Sequence, residues 1–196
     1  CVFGPNGSGK STLLKALAGV IPTWEGSIEF KGRDITDLAS HECIEAGISM
    51  VPQENMIFEG LTVRENLKIA IETLPGDVAA EKRIEDVLAA FPPLASEMDT
   101  RAGSLSGGQQ TMLGFGRALT ADSDVYLLDE PTSSLAPAVT ADILGMVETL
   151  VEQDARVVLV EQNVREALTL ADHVYILAQG RLQFDGTPAE LDDETE

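Results

Sequence analysis

An α/β fold with a mainly parallel sheet is predicted for this 196-residue chain by three observations. Short apolar runs alternate with helical stretches, the pattern of strands joined by crossover helices. Several of these runs are continuous, as strands buried on both faces require. Two of them lead straight into polar groups: Val125-Tyr126-Leu127-Leu128 into Asp129-Glu130, and Val157-Val158-Leu159-Val160 into Glu161-Gln162-Asn163. Strands of a parallel sheet deliver side chains to a site at their C-terminal ends.

The elements follow in order. Cys1-Val2-Phe3 reads as the end of a strand, followed by a glycine-rich turn and a helix from Ser11 to Leu17. Gly26 to Phe30 alternates as a short strand and stops at the Lys31-Gly32 turn. Ile48 to Val51 is a strand ended by Pro52. Residues 62–120 read as helical, with breaks around Leu74-Pro75-Gly76 and Phe91-Pro92-Pro93. After the strand Val125–Leu128 come an amphipathic helix (Thr140 to Glu152), the strand Val157–Val160, a helix (Arg165 to Ala171) and a strand (Val174 to Leu177). The acidic end, Leu191 to Glu196, reads as frayed. A sheet that reaches its first turn at residue 4 is expected to have further strands upstream.

Composition narrows the partners. Thirty-three acids against 13 bases give a net charge of −20, which repels the phosphates of DNA and RNA. Eight of the bases are Arg and five are Lys. Such an acid-rich, lysine-poor surface suits a cytosol of very high salt, and a halophilic source is the expectation. No apolar run approaches the ~18 residues that span a bilayer, and the opening residues carry no secretory signal. A cytoplasmic location is expected. Cys1 and Cys43 are far apart and read as unpaired thiols. His41 and His173 read as structural or surface groups, with no zinc spacing.

Gly4-Pro5-Asn6-Gly7-Ser8-Gly9-Lys10-Ser11, continued by Thr12, fits G-x-x-x-x-G-K-[ST] between a strand and a helix. Glycines let backbone N–H groups close around phosphates at the positive end of a helix. Lys10 would reach the β- and γ-phosphates, and Ser11 would ligate Mg²⁺. Given this loop, the strand ending in Asp129-Glu130 reads as the acidic strand of a nucleotide hydrolase. Asp129 would hold Mg²⁺ through water, and Glu130 would be the general base. Leu105-Ser106-Gly107-Gly108-Gln109 opens a helix with a hydroxyl and two glycines, a second anion site.

The ordered set GPNGSGKST, LSGGQ and LLDEP resembles the ATP-binding subunits of ABC transporters. The resemblance implies a RecA-like P-loop NTPase core, about residues 1–58 and 117–186, with an inserted helical subdomain, about 59–116, and an acidic tail, 187–196. It implies ATP and Mg²⁺ as cofactors. It also implies a head-to-tail dimer, homo- or heteromeric, in which Ser106, Gly107, Gly108 and Gln109 face the partner's nucleotide. Gln53 matches the glutamine that touches Mg²⁺ and the attacking water. Residues 54–58 would then meet polytopic permease subunits on the inner face of the membrane, with a solute-binding protein engaged indirectly. An alternative reading places Met56, Ile57 and Phe58 in the subdomain core.

Gln162 stands where most of the family has a histidine that contacts the γ-phosphate. It can donate an amide N–H to a phosphate oxygen but cannot carry a proton. The VEQN variant, with MLGFGRAL and SSLAPA, resembles the ATPases of branched-chain amino acid importers. Glu161 is expected to bond backbone or surface groups. Ala136 replaces the family's aspartate in the subunit-crossing loop. The family's adenine-stacking aromatic lies upstream of the phosphate loop and has no match here. Trp24 and Phe30 are read as packing groups. A non-transport ABC ATPase and a slowly hydrolysing regulatory partner are the alternative functions.

Overall fold

The computed structural model describes residues 1–53, 56–74, 79–133, 135–162 and 164–193. Its main sheet has the order β4-β5-β6-β1-β7-β8. These strands are β1 (Val2–Phe3), β4 (Ile48–Val51), β5 (Val125–Asp129), β6 (Arg156–Val160), β7 (Val174–Ala178) and β8 (Arg181–Gly186). All neighbours pair in parallel except β7 with β8. A separate antiparallel pair, β2 (Glu29–Phe30) and β3 (Arg33–Asp34), flanks it across the Lys31-Gly32 turn. The α/β expectation is met, and the helices inserted between β4 and β5 form the helical subdomain.

Side chains of the strands alternate between two cores, as pleating requires. Leu127 and Val160 join Val2, Leu14, Cys43 and Ile48 beneath α1 (Lys10–Leu17) and α2 (Ser40–Ala46). Tyr126, Leu128 and Leu159 point the other way, into a larger core shared with the helical segment. There α6 (Pro137–Glu152) buries Ile143, Met146, Val147 and Leu150, the i, i+3, i+4, i+7 stripe of an amphipathic helix. Pro137 at its first turn costs no hydrogen bond, because that N–H has no intrahelical partner.

The subdomain comprises α3 (Val63–Glu72), α4 (Ala80–Ala90), two short 3₁₀ turns (Pro92–Glu97 and Ala102–Ser104) and α5 (Gly107–Leu119). The predicted break at Pro92-Pro93 is a 3₁₀ turn, and residues 75–78 lie outside the described residues. Helix α3 starts from a reciprocal cap: Thr62 Oγ1 accepts from Glu65 N–H while Thr62 N–H donates to Glu65 Oε2. Helix α5 packs against α3 and α4 on one side and β4 on the other, so it ties subdomain to sheet.

Several expectations need correction. The segment after α7 (Val164–Leu168) ends its helix earlier than Ala171. Strand β8 pairs antiparallel with β7 through a Gln179-Gly180 turn in which both residues have positive φ. Its Arg181-Leu182-Gln183-Phe184 run lacked the apolar signal that marks a buried strand. Residues 188–193 of the acidic end form helix α8, capped by Thr187 N–H donating to Glu190 Oε2; residues 194–196 lie outside the described residues. Trp24 is 92% exposed and so is no core group, whereas Phe30 leans on the core beneath α2. His41 is exposed, Cys43 is buried and both cysteines are free.

Asn66 holds the entry to the subdomain. It is fully buried; its Oδ1 accepts from Phe58 N–H at 2.8 Å, and its Nδ2 donates to Phe58 O and Thr62 O at 3.0 Å each. Asn66→Leu leaves the Phe58 amide and carbonyl without these partners. The expected loss is about 2–6 kcal/mol, from two unpaired groups costing about 1–3 each. A urea midpoint unchanged from wild type would refute this role.

Candidate functional site

The phosphate loop leaves β1 at the C-terminal edge of the sheet, between β6 and β7. Gly4 has φ +152°, and a Cβ there would lie 2.1 Å from Leu177 O, so only glycine lets the loop turn against β7. Ser8 N–H donates to Pro5 O, and Gly180 N–H donates to Ser8 O, which pins the loop to the β7–β8 turn. Lys10 is buried; its Nζ donates to Gly4 O at 2.8 Å and Pro5 O at 3.2 Å and lies 3.7 Å from Glu130 Oε1. The loop is thus closed around its own ammonium. Ser8 Oγ is buried without a hydrogen-bond partner.

Residues 6–12, Gln53, Glu130 and Gln162 line a cavity of about 340 Å³ over this loop. A larger cleft, about 1170 Å³, lies between α4 and α6 and touches none of the phosphate loop, Ser106–Gln109, Asp129 or Glu130. Size therefore does not mark the site here; convergence of donors does.

Three groups converge on Glu130, which is 7% exposed. Gln162 Nε2 donates to its Oε2 at 2.6 Å and Gln53 Nε2 to the same oxygen at 3.2 Å, while Lys10 faces Oε1. A carboxylate only accepts, which directs both amide nitrogens toward it. Glu130 has φ +49°, a left-handed conformation unusual for a non-glycine residue. Such a residue is kept only where its surroundings hold it. Here Glu130 N–H donates to Val160 O at 2.9 Å, and Ser133 N–H donates to Glu130 O. Next to it, Ser11 Oγ donates to Asp129 Oδ1 at 2.8 Å. This hydroxyl and carboxylate are hard oxygen donors of the kind Mg²⁺ takes alongside nucleotide phosphates.

Gln162 was expected to offer its amide to a phosphate. It lines the cavity over the loop, and its Nε2 bonds Glu130 there. Asn163 lies outside the described residues. Ser106, Gly107, Gly108 and Gln109 do not line the phosphate cavity of their own chain. Ser106 and Gln109 form a capping box at the start of α5. Ser106 N–H donates to Gln109 Oε1 at 3.0 Å, and Ser106 and Gly107 are exposed. Gly108 has to be small, since a Cβ would come within 2.7 Å of Val139 at the start of α6.

Beyond Gln53, Glu54 and Asn55 lie outside the described residues. Met56 and Ile57 pack on the main core, while Phe58 is 47% exposed. The core reading therefore holds for Met56 and Ile57. Arg117 of α5 donates to Met56 O and lies over the Phe58 ring at 4.5 Å, and burial opposes its charge. Neither Arg117 nor Asn66 stood out in the sequence.

Glu161 bonds backbone groups, as expected, and adds a threonine hydroxyl. It is 3% exposed, and it bonds inward. Its Oε1 accepts from Thr132 N–H at 3.0 Å and Thr132 Oγ1–H at 2.8 Å; its Oε2 accepts from Gln162 N–H at 3.2 Å. Burial raises its pKa above the ordinary carboxylate value, the hydrogen bonds from Thr132 and Gln162 oppose this, and the nearby Glu130 charge adds to the rise. A raised folded-state pKa favours folding below the ordinary carboxylate range. That contribution is lost as pH rises through the raised value. Glu161→Gln cannot ionise, so its stability relative to wild type should climb as pH rises above the ordinary carboxylate range. Urea midpoints of both proteins across that rise check the sign; a flat difference refutes it.

The parallel sheet, the phosphate loop at its central strand and a held carboxylate beside it define a P-loop nucleotide hydrolase. The ABC transporter family model matches residues 1–133. A probable branched-chain amino acid transport ATP-binding protein, LivF of Archaeoglobus fulgidus, is 42% identical over 97% of this chain and 80% of its own length. The high-affinity branched-chain amino acid transport ATP-binding protein BraG of Pseudomonas aeruginosa is 40% identical over 97% and 81%. The lipopolysaccharide export system ATP-binding protein LptB of Escherichia coli is 36% identical over 97% and 79%. A solved nucleotide-free ATP-binding cassette of an ABC transporter superposes with a TM-score of 0.86 at 27% identity, over 100% of this chain and 83% of that one. This chain belongs to the ABC transporter ATP-binding family and is an ATPase of that class. Among the described residues, no helix is long and apolar enough to cross a membrane.

Proposed function

We propose that the chain is the ATP-hydrolysing subunit of an importer for a small solute, with branched-chain amino acids as the substrate class. The observation that carries the catalytic part is the convergence of Lys10, Gln53 and Gln162 on Glu130 above the phosphate loop. The substrate class is supported by the 42% and 40% identical relatives. The 36% identical lipopolysaccharide export relative favours a second reading, export, on the same ATPase.

In this reading, the amides of residues 4–12 and the Lys10 ammonium hold the β- and γ-phosphates. Phosphate oxygens replace Gly4 O and Pro5 O as partners of Lys10. Ser11, Asp129 and Gln53 hold Mg²⁺, which when bound neutralises charge on the transferring phosphoryl group. Glu130 takes the proton of the attacking water as its oxygen bonds to the γ-phosphorus and the bridging oxygen leaves with ADP. Gln53 and Gln162 keep Glu130 aimed. Ser106, Gly107, Gly108 and Gln109 meet the nucleotide of a second ATPase subunit, identical or related.

Residues 1–58 and 117–186 act as the core and 59–116 as the subdomain that engages polytopic permease subunits. Phe58, 47% exposed beneath Arg117, is the apolar group offered for that contact. The subunit sits peripherally on the inner face of the cell membrane, and the solute-binding protein acts through the permease. The acid excess, 33 against 13, fits a halophilic cytosol; full stability in dilute buffer would remove that assignment.

Glu130→Gln should lower ATP turnover by at least about 100-fold while nucleotide binding persists, since general-base catalysis contributes about 10²–10⁴-fold. Turnover near wild type would show that Glu130 is not the base. The substrate class is tested separately, by uptake of labelled leucine, isoleucine and valine in cells lacking the gene. Unchanged uptake overturns the importer reading and leaves the ATPase intact.

A further inference from the structure

The buried carboxylate of Glu161 touches neither the phosphate loop nor the cavity above it, yet it is bonded to both sides of Glu130. Thr132, two residues after Glu130, gives it two hydrogen bonds through its amide and its hydroxyl. Gln162, whose side chain grips Glu130 Oε2, gives it a third through its backbone amide. We infer that Glu161 is a positioning residue for hydrolysis: it clamps the left-handed turn at Glu130 to the Gln162 backbone and so fixes where the Glu130 carboxylate points.

The geometry explains why a carboxylate suits this place. The turn from Glu130 to Ser133 closes on itself through Ser133 N–H to Glu130 O. It is held to β6 by Glu130 N–H donating to Val160 O. Thr132 on the far side of Pro131 would otherwise leave a half-buried amide and hydroxyl unpaired beside the site. Only an acceptor with two oxygens can take three donors arriving from two segments. One oxygen serves the turn and the other serves Gln162. The clamp therefore couples the backbone that carries Glu130 to the side chain that aims it. A shift of about 1 Å in such a group can cost about 100-fold in rate. The same arrangement accounts for a glutamine at position 162: with its backbone fixed by Glu161, a neutral amide suffices to direct Glu130.

The inference rests on Glu130 as the base, so Glu130→Gln is measured in parallel; its loss of turnover secures that reading independently of Glu161. Steady-state ATP hydrolysis is then compared for wild type, Glu161→Ala, Gln162→Ala and the double variant, using the full chain with Mg²⁺. Glu161→Ala should lower kcat about 10- to 100-fold, with KM for ATP changed by less than about threefold. Because Glu161 acts partly through Gln162, the two losses should not multiply, and the double variant should fall within about threefold of Glu161→Ala alone. Glu161→Gln keeps the volume and one acceptor oxygen but sets an amide nitrogen against one set of donors. Its kcat should lie between those of wild type and Glu161→Ala, and it supplies the readout if the alanine variant does not fold. Multiplying losses, a raised KM with unchanged kcat, or wild-type kcat in Glu161→Gln would each overturn the proposal.

Discussion

The parallel register of β5 on β6 is the constraint on which the site depends. Asp129 pairs with Val160, so the next residues of both strands, Glu130 and Glu161, leave the sheet side by side. Val2 of β1 also pairs with Val160, which brings the phosphate loop to the same edge. Three segments distant in sequence therefore end within reach of one cavity. A slip of one residue would reverse every side chain of β6 between the two faces. Leu159 and Val160 would exchange cores, and Gln162 would no longer meet Glu130. The burial of Leu127, Leu128, Leu159 and Val160, each worth about 1.5–3 kcal/mol, thus holds the catalytic geometry as well as the fold.

Within that frame, the strained turn at Glu130 is the local feature that decides direction. An extended residue at the end of β5 would carry its side chain on along the strand. Positive φ swings it back over the loop, where Lys10, Gln53 and Gln162 face it. Such a conformation costs about 1–3 kcal/mol and needs bonds on both flanks to persist. Val160 O supplies one, and the Glu161 clamp on Thr132 supplies others.

The parts legible in the sequence were those that chemistry confines to short spacing. The phosphate loop needs glycines within a few residues of Lys10, and the buried strands need continuous apolar runs. What escaped was set by contacts between distant segments. Strand β8 is polar on the face of Arg181, Gln183 and Asp185, which is exposed, so it carried no strand signal; its place is fixed by pairing with β7. Trp24 looked like core by residue type, yet it sits fully outside. Glu161 was expected to bond backbone or surface groups, but nothing near it in sequence shows that Thr132 is the partner or that the carboxylate is buried. The apolar run before it was the available clue: a strand buried through Val160 is followed by a residue that is still inside.

Charge gives these contacts their meaning. Asp129, Glu130 and Glu161 bring three carboxylates to the edge where an anionic nucleotide is to bind, in a chain of net charge −20. Lys10 is the side-chain cation lining the described cavity, and it is already engaged by loop carbonyls and Glu130. Side-chain charge alone would therefore repel the ligand. What attracts it is the row of loop amides at the start of α1, a backbone field independent of side-chain charge. In the proposed function the Ser11–Asp129 pair would hold the divalent cation that accompanies the nucleotide. The acids are tolerable because each is answered: Asp129 by Ser11, Glu130 by two amides and an ammonium, Glu161 by three donors. Replacing a histidine with Gln162 fits the same balance, since a neutral amide aims Glu130 without adding a second titrating group beside it. The site is thus an acidic surface organised by hydrogen bonds, in which the loop backbone and the incoming cation supply the positive potential.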